Sequence, residues 1–424
     1  MTTDLASREQ FLIPYEWPGS YFLGTEELGA AMRVLEARSL YRFYGPDLQR
    51  CADRLEVAYC RRLERKHAIS VNSGTAALSV ALAALGIGPG DEVLLPGYMW
   101  VSCASAVVRS GAIPKLVDID DTFCMDPADL ESKIGEHSKA VLLVHMSGAP
   151  GAVDRVVEIC RRRKLLLIED CAQANGARFN DKFVGSFGDI AIFSFQLNKN
   201  ITAGEGGIVV CDDERLYRRA WAFHDLGYPR TPDGRLDNSS PEYQLWGQGS
   251  RYAELLAAVT LAQLEKLEVI TSRMRRNKYE LRQRLQKLPG LRFRRILDES
   301  GDTGAFLIMM WEDSEKCRRV VEKTREAGVC CGPAGINNIP MTDWGLHIYY
   351  NNASLVYRRP LNAAGRPWSD PLNSFSQHYT YGKGTLPTLD EFMGRSSLLA
   401  IPPVLTESAI ERIAEEFIKA ASTI

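Results

Sequence analysis

Short apolar runs and longer amphipathic stretches take turns along most of this chain. His67–Val71 leads into a helical pattern from Thr75 to Leu85, and Glu92–Leu95 leads into one that starts near Trp100. Lys115–Asp118, Ala140–His145, Leu165–Glu169, Ile190–Phe195 and Gly207–Val210 follow as further apolar runs. Runs this short, separated by helical periodicity and turn formers, predict strands alternating with helices. That alternation predicts an α/β fold, a mostly parallel, doubly wound sheet covered on both faces. Upstream, residues to about 50 mix Pro, Gly and aromatics, and a helical pattern runs from Pro46 to about Glu64.

The pattern changes after Asp213. Tyr228 to Gly249 is rich in Pro, Gly, Asp, Asn and Ser and reads as a long functional loop. A strongly helical stretch then runs from about Tyr252 to Gln286 and ends before Pro289-Gly290. Beyond it come Arg292–Ile296, Ala305–Trp311, a helix from Ser314 to Ala327 and a last helix from Ser408 to Ala421, the makings of a smaller α+β domain. The expected division is a large domain over residues 1–265 and a C-terminal small domain over 266–424. Asn337 to Leu386 is loop-rich and aromatic, a suitable place for substrate contacts at a domain boundary.

Composition narrows the class without naming a chemistry. With 45% hydrophobic and 25% charged residues over 424 positions, the chain resembles an ordinary soluble globular protein. A formal net charge of -2 gives no general attraction for nucleic acid or an anionic membrane. The basic cluster Arg161–Lys164 is explained by a helix C-terminus. No apolar run is long enough to predict a membrane span, and Met1-Thr2-Thr3-Asp4 does not begin a signal peptide. Ten cysteines lie in no regular framework, and Cys330-Cys331 reads as a pair of small core residues. The expectation is a cytoplasmic protein with no metal site.

Lys199 is where chemistry first shows. It lies between two apolar runs, in Ser194-Phe195-Gln196-Leu197-Asn198-Lys199-Asn200-Ile201-Thr202-Ala203-Gly204-Glu205-Gly206-Gly207. Desolvation there favours the neutral amine, the form that attacks a carbonyl. Upstream, Glu169-Asp170 ends the apolar run that includes Leu165 to Ile168. An acid at the end of a buried strand and a buried lysine point to pyridoxal 5'-phosphate (PLP), whose aldehyde takes the lysine and whose ring nitrogen takes the acid. A structural ion pair between Lys199 and Asp170 is the alternative. Ser73-Gly74-Thr75 joins a strand to a helix and would offer N–H groups to a phosphate, although it is equally a plain N-cap. Ser194 could add a hydroxyl. Trp100, just past Pro96-Gly97, could stack on a ring or simply fill the core.

Together these blocks resemble the DegT/DnrJ/EryC1/StrS sugar aminotransferases, which are fold-type I PLP enzymes. The likeness is strong over about residues 45 to 285. It rests on Asn72 to Leu78, Gly86-Ile87-Gly88-Pro89-Gly90-Asp91-Glu92-Val93, Glu169 to Ala174, Ser194 to Gly207, and the run from Ala257 to Leu264. The resemblance implies that Lys199 carries the cofactor and shuttles a proton, that Asp170 keeps the ring nitrogen protonated, and that Gln173 touches the 3-oxygen. It further implies that Gly74, Thr75 and Ser194 hold the phosphate and that Trp100 stacks on the ring, with Ser73 a further cofactor-binding residue. His347, Tyr349 and His145 are candidates for substrate contact. Family members with histidine at the lysine position are dehydratases, so lysine favours transamination.

The activity so implied is transfer of an amino group from glutamate or glutamine to a ketosugar or ketocyclitol. Amino-sugar, aminocyclitol or antibiotic-type secondary metabolism is the setting, and a homodimer with shared active sites the assembly. PLP-dependent elimination and a non-catalytic PLP-binding regulator are the alternatives. One position departs from the family. Its Asn-aromatic-Arg segment, whose asparagine reaches the neighbouring subunit's phosphate, is here Gly249-Ser250-Arg251. Gln248, Ser250 or a backbone N–H could make that contact, or it could be missing.

Overall fold

The computed structural model describes residues 13–332 and 335–423. Its larger sheet has seven strands: β1 (His67–Val71), β2 (Glu92–Pro96), β3 (Ile113–Val117), β4 (Ser138–Val144), β5 (Leu166–Asp170), β6 (Ile190–Ser194) and β7 (Gly207–Cys211). Their spatial order is β1-β7-β6-β5-β4-β2-β3. Pairs β2–β3, β2–β4, β4–β5 and β5–β6 are parallel. Strand β7 runs antiparallel to both β6 and β1, so it is the one reversed strand of the sheet. Nearly every residue of these strands is buried, as expected where helices cover both faces.

Helix α1 (Thr25–Glu36) and helix α2 (Cys51–Leu63) precede the sheet, and α1 arises within the stretch where the sequence pattern predicted no element. Helix α3 (Gly74–Leu85) shows why its residues are helical. Ser73 caps the start by accepting the Ala76 N–H at 3.0 Å, alanine and leucine fill the body, and Gly86 closes it at φ +73. Alanine and leucine side chains of α3 pack into one apolar core with α4 (Val101–Ser110). On the opposite face, Leu55 and Tyr59 of α2 are fully buried, each contributing roughly 1.5–3 kcal/mol by leaving water.

The stretch read as one helix from Tyr252 to Gln286 is two. Glu254–Leu264 and Leu267–Leu285 meet at Glu265-Lys266. The interruption has no glycine or proline to announce it. Lys266 Nζ instead reaches Glu27 at 2.8 Å and the Phe22 carbonyl at 2.7 Å, tying the junction to the N-terminal segment. The smaller sheet contains β8 (Arg292–Phe293), β9 (Phe306–Met310), β10 (Asn338–Pro340) and β11 (Ser396–Ala400), in the order β8-β9-β11-β10. Helices Ser314–Glu326 and Glu407–Ser422 bury Val320 and Phe417 in its core.

Residues 341–386, predicted to be loop-rich, form short 3-10 turns laid against the larger sheet. Asn373 Oδ1 accepts the Gly90 N–H at 2.8 Å, and Tyr381 donates to the Pro114 carbonyl at 2.7 Å. Asp118 accepts the N–H groups of Thr388 and Leu389 at 3.0 and 2.8 Å. At the C-terminal rim of the parallel strands, His347 and Tyr349 are joined by main-chain bonds to Met99 and Gly97, just past the end of β2.

Candidate active site

The parallel strands end at one rim, and each end delivers a chemically useful group. Strand β1 ends in Ser73-Gly74-Thr75, β4 leads to Met146, β5 ends at Asp170 and β6 at Ser194. Ligands of open α/β sheets bind at this edge. A cavity of about 390 Å³ lies there and is lined by Ser73, Gly74, Thr75, Asp170, Ser194 and Lys199, among others.

Lys199 sits in the connection between β6 and β7. That connection is held by its own hydrogen bonds: Lys199 N–H to the Gln196 carbonyl at 3.0 Å, Ala203 N–H to the Phe195 carbonyl at 3.1 Å, and Thr202 Oγ1 to the same carbonyl at 3.0 Å. Asn200 Nδ2 donates to the Asn175 carbonyl at 2.8 Å, and Phe195 and Ile201 are fully buried anchors. Burial pushes the Lys199 ammonium down from its usual range, and the attraction of Asp170 offsets this only in part. The neutral amine is correspondingly favoured.

Asp170 is 4% exposed, and its two oxygens are separately held. One accepts the Ala172 N–H at 2.9 Å, and the other accepts the thiol of Cys103 at 3.1 Å. Burial, then the Asp170 charge, pushes the Cys103 thiol well above its ordinary range, so it stays protonated and donates. Cys103 has no distinctive sequence signal, because a lone cysteine in an apolar helix looks like core.

The anion-type corner depends on two glycines. A Cβ on Gly74 would stand 2.8 Å from the Ser194 Cβ, and one on Gly207 would stand 2.6 Å from the Ser73 carbonyl oxygen. Only glycine lets the start of α3, the end of β6 and the start of β7 come this close. Ser73 Oγ is taken by the Ala76 N–H, and Thr75 Oγ1 pairs with Ser102 Oγ at 2.8 Å. The Gly74 and Thr75 N–H groups belong to the first helical turn, where no intrahelical acceptor exists and the dipole favours an anion.

Gln173 also lines the cavity. Its Oε1 accepts the Ser147 N–H at 3.1 Å, which leaves the amide NH2 as its free donor end. Ser147, at φ +56, is itself held by Tyr98 through a 2.8 Å hydroxyl contact. Trp100 is exposed at the cavity, with its ring 4.7 Å from that of His347. Main-chain bonds place His347: its carbonyl accepts the Met99 N–H at 2.9 Å, and Tyr349 N–H donates to the Gly97 carbonyl at 3.0 Å. Burial pushes the His347 imidazole down to about 3, aided by Lys199 and opposed by the Trp344 carbonyl. His347 is therefore neutral, with Nδ1–H donating to the Trp344 carbonyl at 2.9 Å and Nε2 left as an acceptor.

Two expected substrate contacts lie elsewhere. His145 is fully buried beneath the rim, 3.6 Å from Glu169, and is not among the cavity's lining residues. Its strand continues β4, so its side chain alternates away from the cavity that Val144 and Met146 line. Tyr349 is 1% exposed, and its hydroxyl donates to Asp390 at 2.9 Å. Conversely, Glu16, Trp344 and Phe306 line the cavity without having been singled out from sequence.

Around the departure from the family pattern, Gly249 adopts φ +67 and its N–H donates to the Asp225 carbonyl at 2.8 Å. Arg251 pairs with the buried Asp225 at 2.6 Å, which Arg230 also meets at 2.5 Å. Gln248 Nε2 donates to Ser250 Oγ at 3.1 Å.

The family model of the DegT/DnrJ/EryC1/StrS aminotransferases matches residues 24–341. Among solved structures, the chain is similar to S. venezuelae DesV, determined in complex with a ketimine intermediate. The two are 26% identical, with 94% of this chain and 95% of that one covered and a TM-score of 0.74. It is also similar to the aminotransferase TlmJ from Streptoalloteichus hindustanus, at 24% identity over 97% and 99% of the two chains and a TM-score of 0.78. A 3-amino-5-hydroxybenzoic acid synthase is 24% identical over 97% and 100%, with a TM-score of 0.77.

Proposed function

The chain belongs to the DegT/DnrJ/EryC1/StrS family of fold-type I, PLP-dependent aminotransferases, and from that premise we propose that it moves an amino group from glutamate or glutamine to the ketone of a ketosugar or ketocyclitol. The observation that carries this reading is Lys199, its ammonium pushed down by burial, in one cavity with Asp170 and the N-terminus of α3. The donor set fits PLP: an amine for its aldehyde, a carboxylate for its basic ring nitrogen, and helix N–H groups for its phosphate. When bound, PLP supplies the carbonyl that amines condense with and a ring that accepts the electrons of a breaking C–H bond.

In this proposal Lys199 Nζ would hold the cofactor by its aldehyde and, as a free amine, would serve as the base and acid that moves a proton. Asp170 keeps a proton on the ring nitrogen, and Cys103 and the Ala172 N–H fix the carboxylate's orientation. The free amide end of Gln173 donates to the ring oxygen. Gly74, Thr75, Ser73 and Ser194 hold the phosphate, while Trp100 covers the ring. His347, neutral and presenting Nε2, accepts a hydrogen bond from substrate. A homodimer with shared sites, with Asp225 to Arg251 facing the partner, belongs to the same proposal. The ten cysteines are free thiols, which supports a reducing, cytoplasmic setting. No helix among the described residues is long and apolar enough to cross a membrane.

The test is spectroscopic. PLP-loaded protein should show the visible band of the lysine-bound cofactor. Glutamate or glutamine should shift it to the shorter-wavelength band of the aminated cofactor, and a keto-inositol or ketosugar should restore it. A visible band unmoved by every amino acid would sink transamination.

A further inference from the structure

Upstream of the residues matched by the family model, the chain continues into a segment that borders the same cavity. Ile13 is buried in the core of the smaller sheet with Leu307 and Met309, and the Pro14 carbonyl accepts Asn337 Nδ2 at 3.4 Å. A few residues later, the Gly19 N–H donates to the carbonyl of Lys199 itself at 3.3 Å. The approach is so close that a Cβ on Gly19 would lie 2.9 Å from both the Ile201 Cα and the Thr202 nitrogen. Residues 13–22 thus bridge the smaller sheet and the lysine-bearing connection. Between the two anchor points, Glu16 and Pro18 line the cavity.

Glu16 is partly exposed, and the hydrogen bond it accepts among the described residues comes from Cys331 Sγ at 3.7 Å, a weak donor. Most of its acceptor capacity is therefore free. The other charged side chains lining the cavity are Asp170, Lys199 and Glu205, with no arginine among the described lining residues. Lys199 and Asp170 are committed to the cofactor in the reading above. What remains for substrate is two carboxylates, the partly exposed Glu16 and the exposed Glu205, and a neutral imidazole whose Nε2 accepts. Next to Glu16 such a wall suits hydrogen-bond donors and penalises a carboxylate held against it, since like charges are costly in a partly desolvated cavity, so the carboxylate of an amino donor would have to lie away from Glu16.

We propose that Glu16 is a specificity-determining residue of the acceptor site. Its carboxylate takes hydrogen bonds from hydroxyl or ammonium groups of a polyhydroxylated ring and turns away polyols that carry a carboxylate. The proposal rests on the aminotransferase reading of the cavity, and its test separates the two. The probes are myo-inositol as a neutral polyol, deoxystreptamine as a cationic aminocyclitol, and gluconate as an anionic polyol. Each is titrated into the PLP-loaded native protein and into Glu16→Gln and Glu16→Ala variants. Binding is read by calorimetry and by quenching of tryptophan fluorescence, to which Trp100 and Trp344 in the cavity wall contribute.

The native protein should bind the aminocyclitol best and gluconate worst. Glu16→Ala should weaken the aminocyclitol about tenfold, the value of a hydrogen bond to a charged group, and narrow the gap to gluconate. Glu16→Gln should lose the charge preference while holding myo-inositol within about threefold. The same order and spacing of the probes in all three proteins would overturn the proposal, as would failure of both the inositol and the aminocyclitol to bind the native protein. Persistence of the cofactor's visible band shows that a variant's site is intact, and if the alanine variant loses it, the isosteric glutamine variant carries the test. Failure of amino donors to shift that band in the native protein would count against transamination alone.

Discussion

Two lysines of this chain have their ammoniums pushed down by desolvation, and they are used in opposite ways. Lys278, 3% exposed on the helix Leu267–Leu285, forms a direct ion pair with Asp302, which also receives the Tyr279 hydroxyl at 3.2 Å. Lys199 has an aspartate for company too, but its ammonium makes no ion pair or hydrogen bond among the described residues and opens onto a cavity. Burial pushes both ammoniums down. A depressed lysine is therefore no signature of chemistry by itself. What sets Lys199 apart is an uncommitted nitrogen with room in front of it.

The sharpest way to break this comparison is to remove each amine. Lys199→Ala should erase the visible cofactor band and cut transamination by more than about 10⁴-fold, with the melting temperature nearly unchanged. If the band survived, the two lysines would have been assigned the wrong way round. Lys278→Ala should instead leave Asp302 buried and unpaired, costing about 3–5 kcal/mol in denaturant unfolding, while the folded fraction keeps its cofactor band. Next comes pH. For an ammonium whose folded pKa lies below its unfolded value of 10.5, the unfolded chain binds more protons between those two values, so stability rises with pH across that window. Lys199→Met should flatten this rise in the cofactor-free protein and gain most stability, relative to native, below the window. An unchanged slope would mean that Lys199 is charged when folded. The smallest effect should come from Gly249→Asn. Its φ of +67 suits asparagine, and a Cβ there would meet only Arg251 Nη1, at 3.9 Å. The variant should fold normally and tighten PLP binding by about threefold to tenfold, measured by cofactor titration, if the family's intersubunit contact is regained.

Much of this was legible in the sequence because the rim of a parallel sheet is written locally. Asp170 and Ser194 each terminate an apolar run, Ser73 caps the helix that follows its run, and Lys199 lies between two such runs. The reversal of β7 was not legible. Gly207–Cys211 is as apolar as its neighbours, and direction leaves no trace in a fully buried strand. The junction at Glu265-Lys266 was missed because tertiary salt bridges, not glycine or proline, end the helix there. His145 and Tyr349 were misplaced for a simpler reason: each lies one or two residues from a side chain that does enter the cavity, and at that spacing orientation is set by pleat or turn. Glu16 had no local signal, since its partner Cys331 is more than 300 residues away and its segment is anchored through Pro14 and Gly19 to Asn337 and the lysine connection.

The reversed strand β7 has a further consequence. Asp170 and the Ser73 turn stand at rim ends whose chain must travel to the far side of the sheet before the next parallel strand can begin. The connection bearing Lys199 does not: Ser194 pairs with Gly207, so it leaves and re-enters the sheet at the same rim. Its span is fixed by two adjacent strands rather than by a helix that could be lengthened at will. Insertions should be readily absorbed at the opposite edge of the sheet and poorly absorbed between residues 195 and 206, where one added residue would change how far the amine reaches.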